Sequence, residues 1–112
     1  MGLQLDVTPA NDGADHILSV RGEVDIATVG ELEEKIAEVG DPAAGLILDL
    51  TATDFMDSSG LRLLVATHER YAAAGGRFRI AVRPGPISRL LDVTGLMGHL
   101  DVHETVEEAA SA

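Results

Sequence analysis

Between Phe55 and Leu61 the chain reads Phe-Met-Asp-Ser-Ser-Gly-Leu, which sets a carboxylate and two hydroxyls, Asp57, Ser58 and Ser59, in consecutive positions. Groups of this kind could provide a hydrolytic nucleophile, a phosphoryl acceptor or a helix cap. The nucleophile is set aside first. The Gly-x-Ser-x-Gly elbow is missing, and Asp57 neighbours the serine directly with no histidine between them to move a proton. His68 lies ten residues further on, within an apolar stripe where a core or boundary histidine is expected. His99 and His103 are four residues apart, a spacing that suits a metal only on a helix; their stretch reads as strand and loop, so no metal is expected. Asp49 follows an apolar strand, but an aspartyl phosphoacceptor needs further acidic residues to hold magnesium. The first strand ends in Val7-Thr8-Pro9 without an acidic pair, and Lys35 sits in the wrong helix. A Gly-x-x-x-x-Gly-Lys cradle for a nucleotide is absent, and no cofactor is expected. Two readings of Ser58 stay open. It or Asp57 caps a helix, or it carries a phosphate where free amides and the positive end of the helix dipole tolerate one.

The elements around this stretch are legible from periodicity. Gly45 to Leu50, Gly-Leu-Ile-Leu-Asp-Leu, predicts a central strand covered on both faces. A loop over Thr51–Met56 leads into a helix that begins at Asp57-Ser58-Ser59-Gly60 and carries Leu61, Leu64, Val65, His68 and Ala72 on one stripe. Gly75-Gly76 ends it, and Arg77 to Val82 forms the next strand. Upstream, Leu3, Leu5 and Val7 alternate with polar residues, Pro9 to Ala14 is turn chemistry, and His16 to Arg21 completes a hairpin that Gly22 ends. Thr28 and Glu31 have capping-box spacing ahead of a helix with Val29, Leu32, Ile36 and Val39 on one face. Downstream, Pro86 opens a short helix, Gly95 suits its left-handed cap with Leu96 placed to touch Leu91, and residues 100–102 form a short strand. Thr105 and Glu108 then open a last helix. The order β-β-α-β-α-β-α-(β)-α indicates one α/β domain over residues 1–112, its core spanning about 3–110, with a mixed four- to five-stranded sheet and about four helices.

Composition narrows the functional classes. Hydrophobic residues make up 46% of the chain, with one Tyr, two Phe and no Trp, so the core must be aliphatic. With 19 acidic and 8 basic residues the net charge is −11, which repels nucleic acid and anionic lipid. Six arginines, Arg62, Arg70, Arg77, Arg79, Arg83 and Arg89, fall in one segment and could gather into a cationic face, though without aromatics to stack bases. No apolar run is long enough to cross a bilayer, the start lacks the pattern of a secretory signal, and there is no cysteine; a cytoplasmic protein is expected.

The stretch Phe55–Leu61, preceded by Leu46-Ile47-Leu48-Asp49-Leu50, resembles the signature of the anti-sigma factor antagonists, a bacterial group within the STAS domain family. Val20-Arg21-Gly22-Glu23-Val24-Asp25 resembles the family's second strand and the Gly-Glu-x-Asp turn after it. Gly75-Gly76-Arg77-Phe78, Ile87-Ser88-Arg89-Leu90-Leu91 and Thr94-Gly95-Leu96 resemble its later landmarks. The likeness runs from about residue 4 to residue 110.

What the resemblance implies is a switch protein, not an enzyme. The first Ser of Asp-Ser-Ser-Gly, here Ser58, would accept phosphate from an anti-sigma factor that is also an ATP-dependent serine kinase. The unphosphorylated form would bind that partner and free a sigma factor, and a serine phosphatase would restore it. Asp57 and Ser59 would form the immediate setting of Ser58, and Asp25 a nearby contact for the partner. Two residues depart from the pattern or stand outside the stripe. Arg62, where many relatives have a small residue, could pair with phospho-Ser58 or with acidic groups of the partner, or be a solvated side chain with no task. Leu63 could pack on a neighbouring helix or contact the partner. The competing function on the same fold is a scaffold or accessory subunit of a stress-sensing or lipid-transport assembly, without a phosphorylation switch.

Overall fold

A computed structural model describes residues 2–112. The N-terminal hairpin joins β1 (Gln4–Ala10) to β2 (Asp15–Val24) in antiparallel register, with Leu5 opposite Val20 and Val7 opposite Leu18. Pro9 lies within β1, where the missing amide is tolerated because β1 is an edge of the sheet. Parallel strands follow: β3 (Gly45–Asp49) beside β2, β5 (Arg77–Ala81) beside β3, and β6 (Asp101–His103) beside β5.

A sixth strand departs from the sequence expectation. Thr53–Met56, read as loop, forms β4 and pairs in parallel with the far end of β2. β2 does not stop at Gly22. It kinks there, with φ at +120° and a shift of register between Gly22 and Glu23, and runs on to Val24. Glycine alone enters that backbone region without a Cβ penalty. So β2 pairs with β3 over Asp15–Ser19 and with β4 over Gly22–Val24. β3 and β4 are two halves of one strand path, broken at Leu50–Ala52, where the amide of Thr53 donates to the carbonyl of Leu50. The hydroxyl of Thr53 donates to the carbonyl of Val20 at 2.8 Å and closes the break.

Helices α1 (Val29–Val39), α2 (Ser58–Ala74) and α3 (Pro86–Val93) supply the main core. Leu32, Ile36, Leu61, Leu63, Leu64, Tyr71, Ile87 and Leu91 meet Leu18, Val20, Leu46, Leu48, Phe78 and Ile80 from the sheet. On α2 the buried set is Ser59, Gly60, Leu61, Leu63, Leu64, Thr67 and Tyr71, so the inward face is rotated about one residue from the expected stripe; His68 is half-buried and Ala72 exposed. Thr67 is tolerated inside because its hydroxyl donates to the Leu63 carbonyl at 2.7 Å. Leu63 is 9% exposed and belongs to this core, which removes it as a partner contact.

The last helix, α4 (Val106–Ser111), starts at Thr105, whose hydroxyl accepts from the Glu108 amide as expected. It packs on β3, β5 and β6 and buries Ala109 completely. Beneath it lies a buried ion pair, Arg79 with Asp15, 1% and 6% exposed. Arg79 also donates to the Ala109 carbonyl at 3.0 Å, and Asn11, itself bonded to Asp15, donates to that of Ala110 at 2.9 Å. The six arginines therefore do not form one cationic face: Arg79 is inside, and Arg77 faces Asp101 at 3.8 Å.

Candidate functional site

The kink at Gly22 and the β2–β4 pairing bring two distant segments together. The amide of Asp57 donates to the carbonyl of Val24 at 3.1 Å, so the turn after β2 and the start of α2 lie side by side. On the β2 side, Asp25 builds its own turn. One carboxylate oxygen accepts from the amides of Ala27 at 3.0 Å and Thr28 at 3.1 Å, and the Asp25 carbonyl accepts from the amide of Val29 at 2.8 Å. The Thr28–Glu31 capping box is not formed. The Thr28 hydroxyl donates back to the Glu23 carbonyl at 2.7 Å, and Glu31 accepts from the Leu3 amide at 2.9 Å. Asp25 organises the turn ahead of α1 in place of that box, and the Glu31 amide donates to the Thr28 carbonyl at 2.9 Å and not to its side chain.

On the α2 side, Asp57 is the cap. Its carboxylate accepts from the Ser59 amide at 2.9 Å and from the Ser59 hydroxyl. That hydroxyl is the main cause that holds the carboxyl below its ordinary range; desolvation opposes it, and the amides of Ser59, Gly60 and Ile26 add to the lowering. Asp57 is therefore a carboxylate at neutral pH. Ser59 is buried and its hydroxyl is committed. Gly60 is required by close approach: a Cβ there would meet Met56 Cγ at 2.5 Å and Val24 Cγ1 at 3.1 Å. Omitting that carbon lets α2 start directly against the ends of β2 and β4.

Ser58 is what this bonding leaves over. It is the first helical residue, it is exposed, and the side-chain hydrogen bonds of the turn run between Asp57 and Ser59 without it. Asp57 is occupied by Ser59, so it does not serve Ser58 as a base. A hydroxyl in this setting is available to a catalyst carried by another protein. Three of the helix-start amides expected to receive a phosphate are already engaged, since Ser59 serves the Asp57 carboxylate, and Gly60 and Leu61 the Asp57 carbonyl.

The surroundings contain two features that sequence reasoning missed. Ile26, in the turn after Asp25, is 77% exposed, and Phe55 is 48% exposed on β4. Large apolar side chains so displayed mark contact surfaces when they cluster; the signal in the sequence was an isoleucine stranded in a turn, in phase with no element. Beside them a cleft of about 520 Å³ is lined by Glu23, Asp25, Asp54 and Thr28. Arg62 is exposed, one turn along α2 from Ser58, and has no ion pair among the described residues. Asp25, Asp57, Ser58 and Ser59 are thus gathered at one edge of the fold, Arg62 lies next to it, and Leu63 is not part of it. His99 lies against His68, ring centroids 5.1 Å apart, while His103 bonds Asp101 at 2.7 Å.

The family model described as STAS domain matches residues 7–109. The chain belongs to the STAS domain family. Among curated proteins, it is 33% identical over 106 residues to the anti-sigma-F factor antagonist RsfB of Mycobacterium tuberculosis, covering 94% of this chain and 86% of that one. Among solved structures, an anti-sigma factor antagonist from Mycobacterium paratuberculosis superposes with a TM-score of 0.87 at 29% identity, covering 97% and 92% of the two chains. The Bacillus cell fate determinant SpoIIAA, solved in its phosphorylated form, superposes with a TM-score of 0.66 at 26% identity, covering 97% and 96%. This STAS domain is accordingly a small α/β fold with four helices and a mixed sheet, similar throughout its length to bacterial regulators.

Proposed function

We propose that this STAS domain is an anti-sigma factor antagonist switched by phosphorylation of Ser58. Its unphosphorylated form binds an anti-sigma factor that is also a serine kinase, and so frees a sigma factor. The kinase transfers a phosphoryl group to Ser58 and releases the product, and a serine phosphatase resets it. The observation that carries this reading is the exposed hydroxyl of Ser58, without a hydrogen bond among the described residues and between two committed neighbours, in a chain whose relatives are named as antagonists. That a structural relative was solved in a phosphorylated form supports the same chemistry.

The surface suits such a partner. Ile26 and Phe55 provide apolar contact, while Asp25, Asp57 and the acidic cleft favour a cationic surface opposite. A phosphate brings a charge of about −1.5 to −2 into that contact, beside two carboxylates. Repulsion and desolvation then act at the interface, and the fold itself does not have to move. Asp25, Asp57, Ser58, Ser59 and Arg62 are the residues assigned to the contact. No described helix is long and apolar enough to cross a membrane, in keeping with a cytoplasmic role for the switch.

The test is intact-mass analysis after incubation with the partner kinase and ATP. The protein should gain one phosphoryl group, and Ser58→Ala should gain none. A gain retained by Ser58→Ala, or no gain with the kinase that binds it, overturns the proposal and leaves the scaffold or transport-accessory role in its place.

A further inference from the structure

We infer that Arg62 is an intramolecular clamp for the phosphoryl group on Ser58, closing over it across one turn of α2 and holding the switched-off form. The inference rests on the reading of Ser58 as phosphoacceptor and adds what becomes of the charge once it arrives. Transfer forms the bond from Ser58 Oγ to phosphorus, breaks the bond from that phosphorus to ADP, and sends the hydroxyl proton to the kinase. A dianion is then left on an exposed residue with few places to put its charge.

Three of the usual hydrogen-bond donors at a helix start are spent. The amide of Ser59 serves the Asp57 carboxylate, and those of Gly60 and Leu61 serve the Asp57 carbonyl. The Asp57 carboxylate itself repels the phosphate, as does Asp25 across the β2–β4 junction. The phosphate is thereby driven along α2, away from both aspartates. Arg62 is what it meets. Positions i and i+4 on a helix are neighbours with Cβ atoms about 5–6 Å apart, and helical side chains lean toward the N-terminus, so Arg62 inclines over the turn that holds Ser58. The guanidinium fork matches two phosphate oxygens at once, which a lysine cannot do. Arg62 is exposed and has no carboxylate within 4.0 Å among the described residues, so nothing has to be broken to form the clamp. The other side chains along its groove, Leu61, Val65, Ala66 and Leu96, offer no competing anion, and Glu69 stands two turns away at the opposite end.

The experiment installs phosphoserine at position 58 during translation, so that no kinase is needed, in the wild-type chain and in Arg62→Gln and Arg62→Lys. Phosphorus NMR titration reads the second ionisation of the phosphate, ordinarily near 6. It should lie lower in the wild type than in Arg62→Gln by at least about 0.3 pH unit, with Arg62→Lys between them. The melting temperature of the phosphorylated chain should fall on Arg62→Gln, while the unmodified chain should melt alike with either residue. Identical phosphate titrations overturn the clamp. So does an Arg62→Gln variant whose phosphate titrates as in the wild type but whose unmodified form binds the partner kinase less well, which would leave Arg62 with its interface role alone. If Ser58 is not the residue the kinase modifies, the mass experiment above fails while the titration still reports on Arg62, so the two failures are distinguishable.

Discussion

The amide of Asp57 donates to the carbonyl of Val24 at 3.1 Å, and through this bond two turns separated by some thirty residues become one surface. Asp25 follows Val24, Ser58 follows Asp57, and each aspartate is fixed by amides of its own turn. The serine hydroxyl is the exposed group beside these fixed ones. Interfaces built on fixed groups lose little entropy on binding, and for the same reason they cannot rearrange to admit an added charge.

Replacing Ser58 by Asp should therefore imitate the modified state at the interface. The variant should fold with an unchanged melting temperature and bind the partner kinase about a thousandfold more weakly, a loss of about 4 kcal/mol. Ser58→Ala should bind as wild type and stay bound when ATP is added. Titration calorimetry or surface binding with the partner reads both. Binding of Ser58→Asp within a few-fold of wild type would show that charge at this position is not what breaks the complex.

Ile26 and Phe55 are expected to be anchors of the contact. Ile26→Ala should leave stability within about 0.5 kcal/mol of wild type, because the side chain is 77% exposed, yet weaken partner binding about tenfold. Val7→Ala is the control. Val7 lies on the edge strand opposite Leu18, six residues or about 20 Å along β2 from Val24, and its truncation should leave binding unchanged. Equal losses for the two would mean that the contact surface is elsewhere.

The Asp57 cap makes the start of α2 sensitive to acid. Its carboxyl is held below the ordinary range in the folded chain, chiefly by the Ser59 hydroxyl. The folded state therefore binds this proton less readily than the unfolded one. Its contribution is complete above the usual carboxylate value of about 3.9 and is lost as pH falls through the lower folded value. Asp57→Asn should thus differ from wild type in stability at pH 6, with the difference shrinking toward pH 2, as read by urea denaturation at each pH. A difference that is constant from pH 6 to pH 2 would show that the carboxylate charge is not what caps the helix.

How far the sequence revealed this arrangement depended on whether each feature was local. The helices, the apolar β3 and the Asp-Ser-Ser-Gly turn are defined by adjacent residues and stand where expected along the chain, although the Thr28–Glu31 box is replaced and the inward face of α2 is rotated. β4 was hidden because Thr53-Asp54-Phe55-Met56 buries only its first and last residues and so shows no alternation. Gly22 reads as a stop by composition, yet with a partner strand available its positive φ makes a kink. Leu63 stands outside the stripe of Leu61, Leu64 and Val65 and so left both packing and partner contact open; the buried face reaches it because Thr67, one turn on, satisfies its hydroxyl at the Leu63 carbonyl at 2.7 Å. Arg79 alternates with Phe78 and Ile80 and so faces the other side of the sheet. What makes that side an interior is α4, folded from residues thirty positions away.

The Arg79–Asp15 pair supports the sheet from behind and yields a prediction separate from the switch. Both groups are removed from water, and each is retained only because the other compensates its charge. Asp15 also holds Asn11, so one carboxylate orients the two side chains that reach the Ala109 and Ala110 carbonyls of α4. Asp15→Ala leaves the guanidinium buried and unpaired and should cost about 3–5 kcal/mol in urea denaturation. Faster amide exchange should spread from α4 into β5. Converting both members to apolar residues, Asp15→Leu with Arg79→Met, removes the uncompensated charge and should recover most of the loss. The Arg79 Nε, which is buried with no partner among the described residues, already carries a desolvation cost that the double variant abolishes. A double variant no more stable than Asp15→Ala would show that the hydrogen bonds to α4, and not charge compensation, are what the pair contributes. Partner binding at Ser58 should be the same in every folded member of the series, since the pair lies beneath α4 and not at the β2–β4 junction.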